Sequence, residues 1–201
     1  PKTQISVLKN IISKAQKEKS YGNLLAAELL TSSLQTKISP DSADSEKARL
    51  KKLCAKAEIT DKVLYAVYNC ALGRIFKYDE DKDELIAGYF DKAMANPALL
   101  AGVQCSKYTP LIKEGKDDAI FKNDLLHVIA FEAGQYDKAS KYYTSVGNRE
   151  AACYSAYMGV KEENNKEALD SLIALYGDLP ICGNVAVAKY KYLKDEEEID
   201  V

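Results

Sequence analysis

Tryptophan is absent from this chain and histidine occurs once, at His127. A lone imidazole with no closely spaced partner cannot build a histidine-based metal site. Proline (5) and glycine (10) are scarce, which excludes a collagen-like or broadly disordered chain. No apolar run reaches the roughly 18 residues of a membrane span. An excess of one charge is missing too. The 28 basic and 30 acidic residues leave a formal net charge of -2. That balance argues against a dedicated nucleic-acid binder, which carries a basic excess. A phosphate-cradling glycine loop and a GxSxG nucleophile turn are both lacking. No catalytic residue, metal ligand or cofactor is assigned on this basis.

Five cysteines are present, at 54, 70, 105, 153 and 182, with no CxxC among them. An odd number cannot pair completely. Free cysteine behaves as a small buried hydrophobe, and that is the expectation for all five.

The 201 residues are 47% apolar, enough to bury a sizeable core. The apolar spacing is helical almost throughout. Ile5, Leu8, Ile12 and Ala15 form one stripe, and Leu24, Leu25, Ala27, Leu29, Leu30 and Leu34 a second. Pro40 opens a third helix, running to about Ala57, where a missing N–H costs nothing. Thr60 reads as the cap of a fourth, running to about Tyr78, and Asp81 with Glu84 as a capping box for a fifth. Asn96 and Pro97 begin a short helix. The helical signal returns at Asp118 and continues to Gly134, a C-terminal cap. Further helices follow from Tyr136, Asn148 and Asn165, and a last one after Pro180.

No segment alternates with period two, so the fold class is all-α, with roughly ten helices joined by short loops as antiparallel pairs. Such pairs bury their apolar faces by stacking into an α-solenoid. Residues 1–201 read as one helical-repeat domain with a softer joint at 102–118, the least regular stretch. EAGQYDKASKYYTSV resembles the turn and second helix of a tetratricopeptide repeat, with Gly134 at the turn and Tyr136, Ala139 and Tyr143 at packing positions. His127 and Ala130 depart from the pattern, and no period of about 34 residues recurs elsewhere.

A second resemblance covers most of the chain. It rests on Asn96-Pro97, Leu99-Leu100, Tyr108, Pro110-Leu111, Gly115-Lys116-Asp117 and the run Phe121 to Leu126, and on the opening IISKAQKEKSYGNLLAAELLTSSLQTK. This order resembles the helical N-terminal region of large bacterial alpha-2-macroglobulin-like proteins. The resemblance implies a cell-envelope parent that binds or traps proteases, with macroglobulin-like β-domains and often a thioester domain beyond this region. No cysteine here is followed by Glu-Gln at its second and third positions, so the CxEQ thioester motif is absent from this chain. The opening PKTQISVLKN and the acidic close Asp195 to Asp200 read as cuts within a longer protein.

Three features remain. His127 lies in an apolar helix and reads as a satisfied helical histidine. The acidic cluster Asp79, Glu80, Asp81, Asp83 and Glu84 lacks the glycine and terminal Glu of an EF-hand, and reads as a solvated helix start. The 14 tyrosines are the compositional oddity. Most serve inter-helix packing, with a wet hydroxyl. Tyr143, Tyr154 and Tyr157 are the candidate partner-binding residues, since tyrosine is enriched at binding hot spots.

The functional expectation is a non-catalytic scaffold or interaction module whose partner is protein: other domains of a parent chain, or a peptide. A free-standing tetratricopeptide-like adaptor, a glycan-binding surface protein using tyrosine platforms and a helical enzyme with an unfamiliar site remain the alternatives.

Overall fold

The computed structural model describes residues 2–105, 124–161, 163 and 165–195. Within them the chain is helical, with one isolated antiparallel bridge between Gln104 and Asp124. The helices are α1 (Lys2–Lys17), α2 (Tyr21–Ile38), α3 (Pro40–Thr60), α4 (Lys62–Phe76), α5 (Asp83–Ala93), α6 (Pro97–Leu100), α7 (Leu125–Ala133), α8 (Tyr136–Ser145), α9 (Arg149–Val160), α10 (Lys166–Tyr176) and α11 (Gly183–Asp195). A 3-10 turn, Pro180–Cys182, precedes α11. Helices α1–α7 form one compact unit and α8–α11 another. The softer joint expected over 102–118 lies, beyond Cys105, outside the described residues. So do Tyr108, Pro110, Leu111, Gly115, Lys116, Asp117, Asp118, Phe121 and the acidic close after Asp195.

In the first unit α4 is the hub, packing against α2, α3, α5, α6 and α7. Its sequence explains why. Ala66 to Phe76 are buried at every position but Arg74, and a helix apolar on all faces belongs in the interior. Leu50, Cys54, Tyr68, Leu72, Ile75 and Phe76 form the centre of this core. Each fully buried leucine or isoleucine there contributes about 1.5–3 kcal/mol.

Two close approaches depend on glycine. A Cβ on Gly22 would sit 2.7 Å from the Cys105 sulfur and 3.0 Å from its Cα. Gly22 therefore belongs inside the first turn of α2, where the segment after α6 packs on it. A Cβ on Gly73 would lie 2.8 Å from the buried Phe90 ring of α5. Gly73→Ala is expected to destabilise the unit by about 1–3 kcal/mol, read by urea denaturation. An unchanged midpoint would mean that the α4–α5 seam is loosely packed.

Two helix starts differ from the sequence expectation. Thr60 does not cap α4. It ends α3, its hydroxyl donating to the Lys56 carbonyl at 3.0 Å. Asp61 is the cap, because its extended backbone lets one carboxylate oxygen accept from Val63 N–H and Leu64 N–H at 3.0 and 3.1 Å. Asp81 and Glu84 make no capping box. Asp81 has φ 55°, a turn conformation that removes it from the cap position, and α5 starts after Lys82 with no side-chain cap bond.

The second unit is built from successive helices: α8 packs on α9, α9 on α10, and α10 on α11. Asn148 and Asn165 cap α9 and α10 by accepting from Ala151 N–H and Ala168 N–H. Gly147, at φ 75°, provides the left-handed residue that ends α8. The core takes Ala139, Tyr143, Cys153, Met158, Leu169 and Val185. Among the described residues no helix is long and apolar enough to cross a membrane.

Candidate functional site: a groove over a buried charge cluster

The first unit carries a groove of about 440 Å³. Ile12 and Gln16 of α1, Thr31 and Gln35 of α2, and Glu46 and Arg49 of α3 line it. Its α1 wall follows from the stripe spacing. Ile12 turns inward with the core residues, and Gln16 reaches across to α4, donating from Nε2 to the Tyr68 hydroxyl at 2.7 Å. The opposite wall is set by α3, where Glu46 and Arg49 stand three residues apart and so share a face.

Behind that wall lies the unusual chemistry. Glu28 of α2 has no exposed surface, and Glu46 is only 3% exposed. One guanidinium holds both. Arg49 donates from Nε and Nη2 to the two Glu46 oxygens at 2.8 and 2.7 Å. It also donates from Nη1 to Glu28 Oε1 at 3.4 Å and from Nη2, at closer range, to Glu28 Oε2. Burial pushes the Glu28 carboxyl above the ordinary carboxylate range. The Arg49 contacts pull it back without cancelling the shift. Burial lowers Arg49 as well, but the two carboxylates outweigh it and its pKa rises. Both acids are thus committed to the guanidinium. The arrangement ties α2 to α3 and leaves no free carboxyl for proton transfer.

Further pairs extend the charged seam of α3. Lys47 is buried between Asp79, at 2.7 and 2.8 Å, and Asp44 at 3.3 Å, with the Phe76 ring centroid 5.2 Å from its ammonium. The Tyr21 hydroxyl donates to Asp61 Oδ2 at 2.7 Å, coupling the α1–α2 turn to the α4 cap.

The tyrosines singled out from the sequence occupy the second unit. Tyr143 and Tyr154 are buried, at 2% and 7% exposure, and serve packing; Tyr157 is half-buried. A second groove, about 360 Å³, runs between α8 and α9, lined by Tyr136, Ser140, Ser155 and Gly159 among others. His127 is 1% exposed on α7. Its backbone N–H is held by Asp124 Oδ1 at 3.2 Å, while Asp124 Oδ2 accepts from Gly102 N–H at 3.0 Å. Burial lowers the imidazole pKa to about 3. The acidic stretch Asp81, Asp83 and Glu84 lines an open surface recess. Among the described residues no group of three or more His, Cys, Asp or Glu is placed to hold a metal ion.

Sequence reasoning did not pick out Glu28, Glu46 and Arg49. The signal was available: Glu28 interrupts the apolar run LLAAELL, and an acid there requires a buried cation. No family model, curated protein or solved structure matches the chain.

Proposed function

We propose that this chain is a non-catalytic helical scaffold or protein-interaction module of a larger, envelope-associated, alpha-2-macroglobulin-like protein. The observation that carries the reading is the commitment of its buried ionisable groups to structure. Glu28 and Glu46 are bound to Arg49, and His127 is held neutral within α7. Consecutive helices packed on one another, as in tetratricopeptide-like arrays, agree with a spacer built to hold neighbouring domains apart. The residues flanking the chain in its gene test the reading. A lipoprotein-type signal before it and macroglobulin-like β-domains after it are expected. A reading frame that closes just beyond Val201 would overturn the envelope assignment.

The groove between α1 and α3 favours one second reading, an adaptor that receives a peptide there. Pulldown with defined peptides separates the two. Capture abolished by Gln35→Ala or Gln16→Ala would move the assignment to the adaptor. Two of the three candidate partner-binding tyrosines, Tyr143 and Tyr154, are buried, which leaves their rings little surface to offer a partner or a glycan.

A further inference from the structure

We infer that the α1–α2 hairpin is a peripheral docking face for an anionic lipid surface. Residues 1–38 hold six lysines, at 2, 9, 14, 17, 19 and 37, against two glutamates. Arginine is absent from this stretch, and α1 itself contains no acid. The chain as a whole stands at -2, so the hairpin is a basic region of an otherwise acidic molecule. Burial sharpens the contrast. Glu28 has no exposed surface and is bound to Arg49, whereas Lys9, Lys14, Lys17, Lys19 and Lys37 are exposed. Glu18 is the one acid that the described hairpin presents to solvent. It meets Lys14 at 3.9 Å with both side chains more than half exposed, a loose pair that leaves the lysine able to serve another anion.

Exposed aliphatic side chains share this region. On α1, Val7 is 55% exposed and Ile11 42%, and their spacing of four residues places them on one face. Lys14, three residues after Ile11, continues that face. Leu30 of α2 is 57% exposed. The stripe of Ile5, Leu8, Ile12 and Ala15 is buried in the core, so Val7 and Ile11 form a second apolar flank of the same helix. Neither lines the groove, whose α1 wall comes from Lys9, Ile12, Ser13 and Gln16. Lysines beside aliphatic residues on one helix are the combination that binds an anionic bilayer interface.

Two other polyanions match the charge but not the rest of the face. A nucleic-acid strand is gripped by aromatic rings and arginine forks. Tyr21 is the only aromatic residue in 1–38, and its hydroxyl is bound to Asp61. An acidic protein segment seats its side chains in a concavity, and Val7 and Ile11 lie outside the groove beside them. A bilayer interface needs no preformed pocket, because it deforms around a helix flank. The main apolar stripe of α1 stays in the core, and no described helix is long and apolar enough to span a membrane. Insertion is therefore shallow, reversible and sensitive to salt. The inference does not rest on the parent protein proposed above.

The test is co-sedimentation of the whole chain with vesicles of phosphatidylcholine alone and of phosphatidylglycerol and phosphatidylcholine in equal parts. Binding to the anionic vesicles is expected to be at least about tenfold stronger at low salt, and to fall as salt is raised. Lys14→Gln combined with Lys17→Gln should weaken it by about tenfold or more, since one lysine near such a surface multiplies partition by roughly fivefold. Val7→Ala combined with Ile11→Ala should weaken it by about fivefold or more while keeping the salt dependence, because apolar area is lost and no charge is. All four positions are exposed, and alanine and glutamine are good helix formers. Circular dichroism and the melting temperature should therefore match the wild type. Equal binding to both kinds of vesicle would overturn the inference, and so would aliphatic variants that bind like the wild type. A chain that ignores anionic vesicles but shifts single-stranded RNA, or is captured by polyglutamate, would overturn the lipid assignment in favour of a polymer partner.

Discussion

Arg49→Leu is expected to lower the stability of the first unit by about 3–5 kcal/mol at pH 7, the range seen when one partner of a buried ion pair is removed. Loss of the guanidinium strands Glu28, which has no exposed surface, and Glu46 beside it. Glu28 cannot recover hydration without opening the α2–α3 seam, whereas Glu46 lines the groove. In melting temperature the loss corresponds to about 12–25 °C for a unit of this size. Thermal and urea denaturation measure it, and a change below about 1 kcal/mol would show that the cluster is already hydrated.

The same variant carries a pH signature. Burial already raises Glu28 above its unfolded carboxyl range, with Arg49 opposing that rise. Without Arg49 the folded pKa rises further. A raised folded pKa means stability that is present below the unfolded value, about 4.3, and is lost as pH rises through the folded one. Arg49→Leu should therefore regain stability on acidification from pH 7 toward pH 5, relative to the wild type. Adding Glu28→Leu should restore much of the loss at pH 7, because apolar replacement of a buried pair is often neutral or stabilising. It should also reduce the pH signature. A double variant no better than Arg49→Leu alone would locate the damage at Glu46 or in packing.

These residues show what a sequence discloses and what it conceals. Helix content was legible because period and capping are local properties. Pro40, Asn148, Asn165, Gly134 and Gly147 punctuate the chain where the elements begin and end. Thr60 and Asp61 were harder. Both are good caps, and the choice between them depends on which one takes the extended backbone. The Glu28–Arg49 bond spans 21 residues and two helices, so spacing gave no register for it. Tyr143, Tyr154 and Tyr157 could be placed on helices, but which of their faces the neighbouring helices enclose is a tertiary matter.

His127→Leu is expected to remove about 2 kcal/mol of the difference in stability between pH 7 and pH 5. In the folded chain the imidazole is buried and holds no proton until about pH 3. In the unfolded chain it titrates near 6.5. The folded pKa is the depressed one, so the unfolded state binds the extra proton. The stability His127 confers is complete above about pH 6.5 and declines as the pH falls toward 3, at up to about 1.4 kcal/mol per unit. Glu28 works in the opposite sense, since its folded pKa is raised. The wild-type profile is therefore a sum, and only its difference from the variant isolates the histidine. Urea denaturation of both proteins at pH 7, 6 and 5 gives that difference. NMR titration of the imidazole supplies an independent check, with no midpoint expected before pH 4. A midpoint near 6.5 in the folded protein would mean that His127 meets water, and would make it a candidate acid or base, because general catalysis near neutrality needs a group that titrates there.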